Sequence, residues 1–156
     1  LLAFVRQLTR ESSRNLSHPA GYFDAMTVEQ EAGFLDSLVR HPRGFMITAW
    51  LDDVAIGNAS ITPSPTTYGA HTAELGIGVL EAHQRKGLAR ALMEHLVEES
   101  TRIGVTNLML RVRAFNEAAI ELYQTLGFRH VGTLQGFALI EGELFDEHLY
   151  QRIAGG

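Results

Sequence analysis

The run Gln84-Arg85-Lys86-Gly87-Leu88-Ala89, with Arg90 behind it, holds the residues of this chain whose types and spacing best suit chemistry. Gly87 and Ala89 leave the main chain uncovered, while Arg85, Lys86 and Arg90 gather cations around one short turn. Apolar residues recur at Leu88, Leu92, Leu96 and Ile103, which predicts a helix from Gly87 to about Ile103. A helix start offers unpaired N–H groups at the positive end of its dipole. Backbone donors together with mobile cations are what a polyphosphate needs, so the turn reads as a phosphate-binding turn. A solvated basic turn with no ligand would have the same composition, and the flanking elements must decide between the two.

Upstream, His71 to Leu80 reads as a strand. Ala73, Leu75, Ile77 and Val79 fall on one face and Thr72, Glu74, Gly76 and Gly78 on the other. Two glycines on one face expose backbone, either to a molecule lying close or to a bulge or tight internal packing. Downstream, Thr106 to Val112 alternates as a second strand, completing a strand-turn-helix-strand unit of the kind that makes parallel neighbours. Asn116 is a natural cap for a further helix carrying Ala119, Ile120, Tyr123 and Leu126, with Gly127 as its left-handed stop. Glu74 reads as a strand carboxylate and Tyr123, at helical spacing from Ile120 and Leu126, as a core aromatic.

Other elements frame this unit. A one-sided helix is expected from Leu2 to about Leu16, using Val5 and Leu8, and Ser17 to Gly21 ends it. Thr27 and Gln30 have capping-box form, with a helix following through Phe34, Leu35, Leu38 and Val39. Phe45 to Leu51 and Val54 to Thr62 read as a hairpin about Asp52-Asp53, and Phe128 to Leu134 and Glu143 to Ile153 as the last strands, joined near Glu141-Gly142. Asp146, Glu147, His148 and Tyr150 fit either a pocket lining or an exposed strand face.

With 156 residues the chain is most economically a single domain. It has no cysteine, which removes disulfides, thiolate metal sites and any acyl-cysteine intermediate. The formal charge of -5 argues against a general nucleic-acid surface. No His-Glu-x-x-His spacing is present, so no metal is expected. Lys86 precedes its glycine rather than following it, and Gly76-Ile77-Gly78 lacks the third glycine of a dinucleotide fingerprint, which disfavours a nucleotide hydrolase or a dehydrogenase. No apolar run approaches membrane-spanning length; the expectation is a cytoplasmic protein with no membrane or nucleic-acid partner. The chain opens on Leu1 rather than Met, in keeping with residues preceding it.

Taken in order, Glu74-Leu75-Gly76-Ile77-Gly78-Val79, Gln84-Arg85-Lys86-Gly87-Leu88-Ala89, and Asn116 with Ala119, Tyr123, Gly127 and Phe128 resemble the successive signature segments of the GNAT superfamily of N-acetyltransferases. The basic turn fits that family's (Gln/Arg)-x-x-Gly-x-(Gly/Ala) pattern. The resemblance covers about Phe45 to Ile153 and departs at the front, where the family has a strand before its first helix. It implies an α/β (α+β) fold: a mixed, mostly antiparallel sheet flanked by helices and splayed between the family's fourth and fifth strands. Acetyl-CoA, as cosubstrate, would wedge into that gap. By the same resemblance it would lie against Ile77, Gly78 and Val79 through its pantetheine arm, on Gln84, Arg85, Lys86, Gly87, Leu88, Ala89 and Arg90 through its pyrophosphate, and beside Asn116 and Tyr123.

The implied reaction is acetyl transfer straight to a primary amine of a small molecule, peptide or protein. A backbone N–H near Val79 would polarise the carbonyl, Tyr123 would protonate the departing thiolate, and Glu74 is the candidate base. A non-catalytic acyl-CoA-binding or regulatory module is the competing reading. A homodimer is compatible with paired final strands.

Overall fold

The structure, a computed structural model, describes residues 1–155, with the backbone alone at Val39. The helices are α1 (Leu2–Ser12), α2 (Val28–Arg40), α3 (Leu88–Arg102) and α4 (Glu117–Thr125). The strands are β1 (Phe45–Leu51), β2 (Val54–Pro63), β3 (Thr72–Val79), β4 (Asn107–Arg113), β5 (Arg129–Ile140) and β6 (Glu143–Ile153). They form one sheet in the order β1-β2-β3-β4-β6-β5, antiparallel everywhere except between β3 and β4.

Local chemistry explains most boundaries. Asp52 and Asp53 both have positive φ, 46° and 62°, as a two-residue hairpin turn requires, and a short polar side chain tolerates that region. The capping box at α2 is complete, with Gln30 N–H donating to Thr27 Oγ1 and Thr27 N–H to Gln30 Oε1. Gly127, at φ 83°, stops α4 as expected.

The parallel pairing of β3 with β4 is short. It joins Thr72 to Asn107, Ala73 to Leu108 and Glu74 to Met109, and nothing beyond. Past the Leu75 N–H, which this last pairing sets on Met109 O, the two strands run on to Val79 and Arg113 without bonding each other, so the sheet splits. Counted in this chain the split lies between the third and fourth strands; the count of fourth and fifth includes a strand ahead of the first helix, and the described residues begin directly at α1.

One face of the sheet carries the main core. Leu92, Met93 and Leu96 of α3 pack with Ala59, Ile61, Leu75, Val79, Leu108, Leu110 and Val112, joined by Tyr123, Phe128 and Tyr150. Truncating a buried leucine such as Leu96 to alanine would cost about 2–5 kcal/mol. The other face is covered near its split by α1, whose Phe4 and Leu8 pack with Ala55 and Leu80.

Three expectations need correction. α1 ends at Ser12 and passes into a 3-10 turn at Ser13–Asn15 rather than running to Leu16. Phe34 stays 57% exposed, leaving Leu38 as the buried residue of the α2 stripe; the side chain of Val39 lies outside the described residues. β5 continues to Ile140 instead of stopping near Leu134, because a register break between Leu134 and Ala138, with Gly136 at φ 57°, interrupts its alternation without ending it.

Candidate active site

The turn after β3 is an array of free donors. Leu80 N–H closes on Ile56 O, a 3-10 turn spans Glu81–His83, and Gly87 at φ 84° caps α3 with no side-chain capping bond. Among the described residues no hydrogen bond uses the main-chain N–H groups of Arg85, Lys86, Gly87, Leu88, Ala89 or Arg90; the first to find a partner is Ala91, donating to Gly87 O at 3.0 Å. Arg85 also has positive φ, 57°, so left-handed residues alternate around Lys86 and turn successive N–H groups into one concavity. A Cβ built on Gly87 meets nothing within 4 Å. Glycine is therefore required there by its backbone angle, and the space outside is open for a ligand.

The side chains of the turn mostly serve its own architecture. Gln84 Nε2 donates to Val79 O at 2.9 Å and Lys86 Nζ to Ala82 O at 2.8 Å. Arg90 reaches across to Thr125 Oγ1 at 2.9 Å and lies 3.7 Å from Glu94, tying α3 to α4. Leu88 and Ala89 are half-buried against the main core and fix the helix start. No bond engages Arg85 among the described residues, which leaves it the mobile cation of the set.

β3 lines the split with unpaired backbone. Ser64 N–H donates to Thr72 O and Leu80 N–H to Ile56 O, so the even-numbered residues of β3 bond to β2. The odd-numbered ones face the other way: Ala73 and the Leu75 N–H meet β4, while Leu75 C=O and the N–H and C=O groups of Ile77 and Val79 point into the gap. Of these groups Val79 C=O is already taken by Gln84. An unpaired strand edge inside the molecule suits a ligand with alternating amides. The two glycines of β3 differ. A methyl group at Gly78 would overlap Leu8 of α1, so that glycine answers to packing; at Gly76 the nearest atom, Ser60 Oγ, is 4.0 Å from such a methyl.

Tyr123 enters from the core side. Its ring is buried and tilted against Phe128 at 6.1 Å. Its hydroxyl has no partner among the described residues, nor is it among their enclosed, unsatisfied oxygens, so the phenol tip is where the side chain meets solvent. Burial pushes its pKa up to about 12, keeping it a neutral donor across the ordinary pH range. Asn116 Oδ1 accepts Ala119 N–H at 3.3 Å and caps α4, leaving its amide nitrogen free among the described residues.

Glu74 lies on the opposite face, 51% exposed, with Oε1 accepting from Arg111 Nε at 2.9 Å. Glu74 and Val79 are five residues apart on one strand, roughly 16 Å, so a base at Glu74 would reach an amine near Val79 only through water. The gap-facing N–H of Ile77 is closer to Glu74.

Arg111 and Arg113, not singled out in the sequence, join Glu74 to Glu147, which is buried rather than on an exposed strand face. Arg111 reaches from Glu74 toward Glu147, with Nη1 3.9 Å from Glu147 Oε2 and its guanidinium 5.4 Å from the centre of the Phe137 ring. Arg113 forms a buried ion pair with Glu147 and donates to Arg14 O and Leu16 O, fastening the end of α1 to β4 across the split. Burial, and then the like charge of Arg111, hold the Arg113 pKa below the usual arginine value. Arginines two apart on a central strand were the available signal, since such charges are seldom placed there without partners.

A hollow of about 570 Å³ runs along α3 between Glu94 and Arg102, bordered by Leu126 and Arg152. A second, about 550 Å³, borders Arg14, Phe115 and Phe145 beside the end of β4. Among the described residues no three His, Asp or Glu side chains converge as for a metal ion, and no helix is long and apolar enough to cross a membrane.

Residues 4–128 match the model of the acetyltransferase (GNAT) family, and the chain belongs to that family. The [ribosomal protein bS18]-alanine N-acetyltransferase of Escherichia coli strain K12 is 56% identical over 52 residues, 33% of this chain and 35% of that protein. The match thus spans about a third of that relative's length. N-alpha-acetyltransferase RimI of Mycobacterium tuberculosis is 33% identical over 119 residues, covering 73% of this chain and 69% of its own. The crystal structure of a GNAT-family acetyltransferase from Streptococcus pneumoniae superposes with a TM-score of 0.90 at 26% identity, covering 99% of this chain and 91% of that one.

Proposed function

We propose that this protein moves the acetyl group of acetyl-CoA directly to a primary amine, with an α-amine on an amino acid or a peptide N-terminus as the preferred acceptor class. The observation that carries the reading is the continuity of two unused donor sets: the main-chain N–H groups from Arg85 to Arg90 and the bare edge of β3 leading to them. The first set suits a pyrophosphate and the second a pantetheine arm, and one ligand joins both. The alanine N-acetyltransferase and N-alpha-acetyltransferase relatives support the α-amine.

Residue roles follow from position. Ile77, Gly78 and Val79 would flank the arm; Gln84 would hold the turn that receives the pyrophosphate, and Arg85 would add mobile charge. A gap-facing N–H on β3 would polarise the thioester carbonyl. Tyr123 would donate a hydrogen bond to the sulfur as the C–S bond breaks. A phenol near 12 does not surrender its proton unaided to a thiolate whose acid is about 8.5, so transfer must be concerted with proton release from the new ammonium. Asn116 would orient ligand with its free amide.

We further infer a cytoplasmic site of action and a homodimer through β5, the edge strand, where Val131, Phe137 and Leu139 are exposed. Sedimentation at micromolar concentration reads the latter; a monomer would refute it. The test of activity is free-thiol release from acetyl-CoA with a panel of amines. Turnover concentrated on α-amines is expected. Tight acetyl-CoA binding without turnover on any amine would identify a binding module instead.

A further inference from the structure

Among the described residues one buried side-chain polar atom has no hydrogen-bond partner, Glu147 Oε2. Such an atom is costly unless something else uses it. Its surroundings are specific. Glu147 Oε1 is held by Arg113, itself fixed by Arg14 O and Leu16 O, so the carboxylate cannot turn to relieve its partner-less oxygen. Arg111, 3.9 Å from Oε2, is too far to bond it and is drawn instead to Glu74 at 2.9 Å. Across the other neighbouring strand the register partner is the uncharged Leu134. On β6 itself the flanking side chains are spent elsewhere, Asp146 accepting Gly136 N–H and His148 bonded to Thr133.

The pairing registers put Glu74, Arg111, Arg113 and Glu147 on one face of the split, opposite the face that carries Tyr123. Glu74, the carboxylate first expected to act as base, is already bonded to a guanidinium in the open, whereas Glu147 offers a free oxygen in a dry setting where a charge contact is stronger.

We propose that Glu147 Oε2 is the acceptor-amine site: it binds the incoming ammonium and takes its first proton, with Arg111 as a cover that shifts wholly onto Glu74 when the acceptor arrives. This deepens the acetyl-transfer reading and rests on it. The steps balance. One ammonium proton passes to Glu147 and then to solvent; the freed lone pair forms the C–N bond as the carbonyl π electrons move to oxygen. Collapse breaks the C–S bond, the sulfur leaves with the electron pair, and a second nitrogen proton reaches it by way of the Tyr123 hydroxyl. Arg113 is a positioning residue in this scheme.

Glu147→Gln tests it against two acceptors, an α-amine that is mostly cationic at neutral pH and an amine of low basicity that is already neutral. For the cationic acceptor kcat/KM is expected to fall on the order of 100- to 1000-fold. The deficit should shrink as pH rises through the amine pKa of about 7.7–8.0, and should be small for the neutral amine. Acetyl-CoA affinity should hold. A deficit equal for both amines at every pH would assign Glu147 a structural role and overturn the proposal, as would an amine-selective deficit in Glu74→Gln alone. If Glu147→Gln does not fold, Glu147→Asp retains the charge facing Arg113 while withdrawing the oxygens; it should show the same selectivity in weaker form, and its absence counts against the proposal. Wild-type protein that binds acetyl-CoA yet acetylates no amine removes the underlying reading, whereas active wild type with an indifferent Glu147→Gln removes this assignment only.

Discussion

The two sides of the split sheet are built by different means. On the β3 side the donors are main-chain N–H groups, contiguous from Arg85 to Arg90 and continued by the edge of β3. On the β4 side they are side chains brought in by register, with Arg113 opposite Glu147 and Arg111 reaching back to Glu74. A site of contiguous backbone depends on a few local angles, while an assembled site depends on three strands keeping their alignment. Each therefore breaks under a different kind of substitution.

Gly87→Val is expected to break the first side most severely. At φ 84° a β-branched residue is strained, so the turn must relax to another angle and its N–H groups lose their common direction. Acetyl-CoA binding by calorimetry should disappear while circular dichroism remains that of the folded protein. A folded variant with retained affinity would remove the turn from the site.

Tyr123→Phe separates the sides by leaving binding alone. It keeps the ring that packs against Phe128 and deletes only the donor, so turnover should fall on the order of 100-fold with little change in acetyl-CoA affinity. Unchanged turnover would show that the thiolate leaves without help from Tyr123.

The same contrast explains what could be read in advance. The turn, the alternation of β3, the cap at Asn116 and the stop at Gly127 depend on residues within a few positions of one another, and all were legible. The pairing of Arg113 with Glu147 was not, because it joins strands separated by α4 and the whole of β5. Glu74 was legible as a carboxylate but not as the partner of Arg111, a contact across parallel strands. The glycines of β3 were visible, yet only three-dimensional packing shows that Gly78 answers to Leu8, while Gly76 has only Ser60 Oγ at 4.0 Å. The extent of β5 was hidden by a break in its alternation at Gly136.

The burial of Tyr123 also makes a prediction about stability. Its folded pKa of about 12 exceeds the unfolded value of about 10, so between those limits the unfolded chain has lost a proton that the native protein keeps. Stability is then fully present below pH 10 and falls as pH rises toward 12, by roughly 2–3 kcal/mol in all. Urea midpoints at pH 9 and pH 11.5 should therefore diverge more in the wild type than in Tyr123→Phe. Equal divergence would mean that the ring is less dry than its packing indicates, and would ease the demand for concerted proton transfer.

The smallest effect should come from the glycines, and it bears on how α1 spans the split. Gly78→Ala would push a methyl group into Leu8, moving the helix that Arg113 fastens at its far end, at a cost of about 1–3 kcal/mol. Gly76→Ala meets only Ser60 Oγ at 4.0 Å and a compatible backbone, so it should be neutral or slightly stabilising through the unfolded chain. Thermal unfolding of the pair decides the matter. If Gly76→Ala destabilises as much as Gly78→Ala, both glycines serve the strand itself; if only Gly78→Ala does, α1 is seated on β3 by that one close contact, and the placement of Arg14 and Leu16 over Arg113 depends on it.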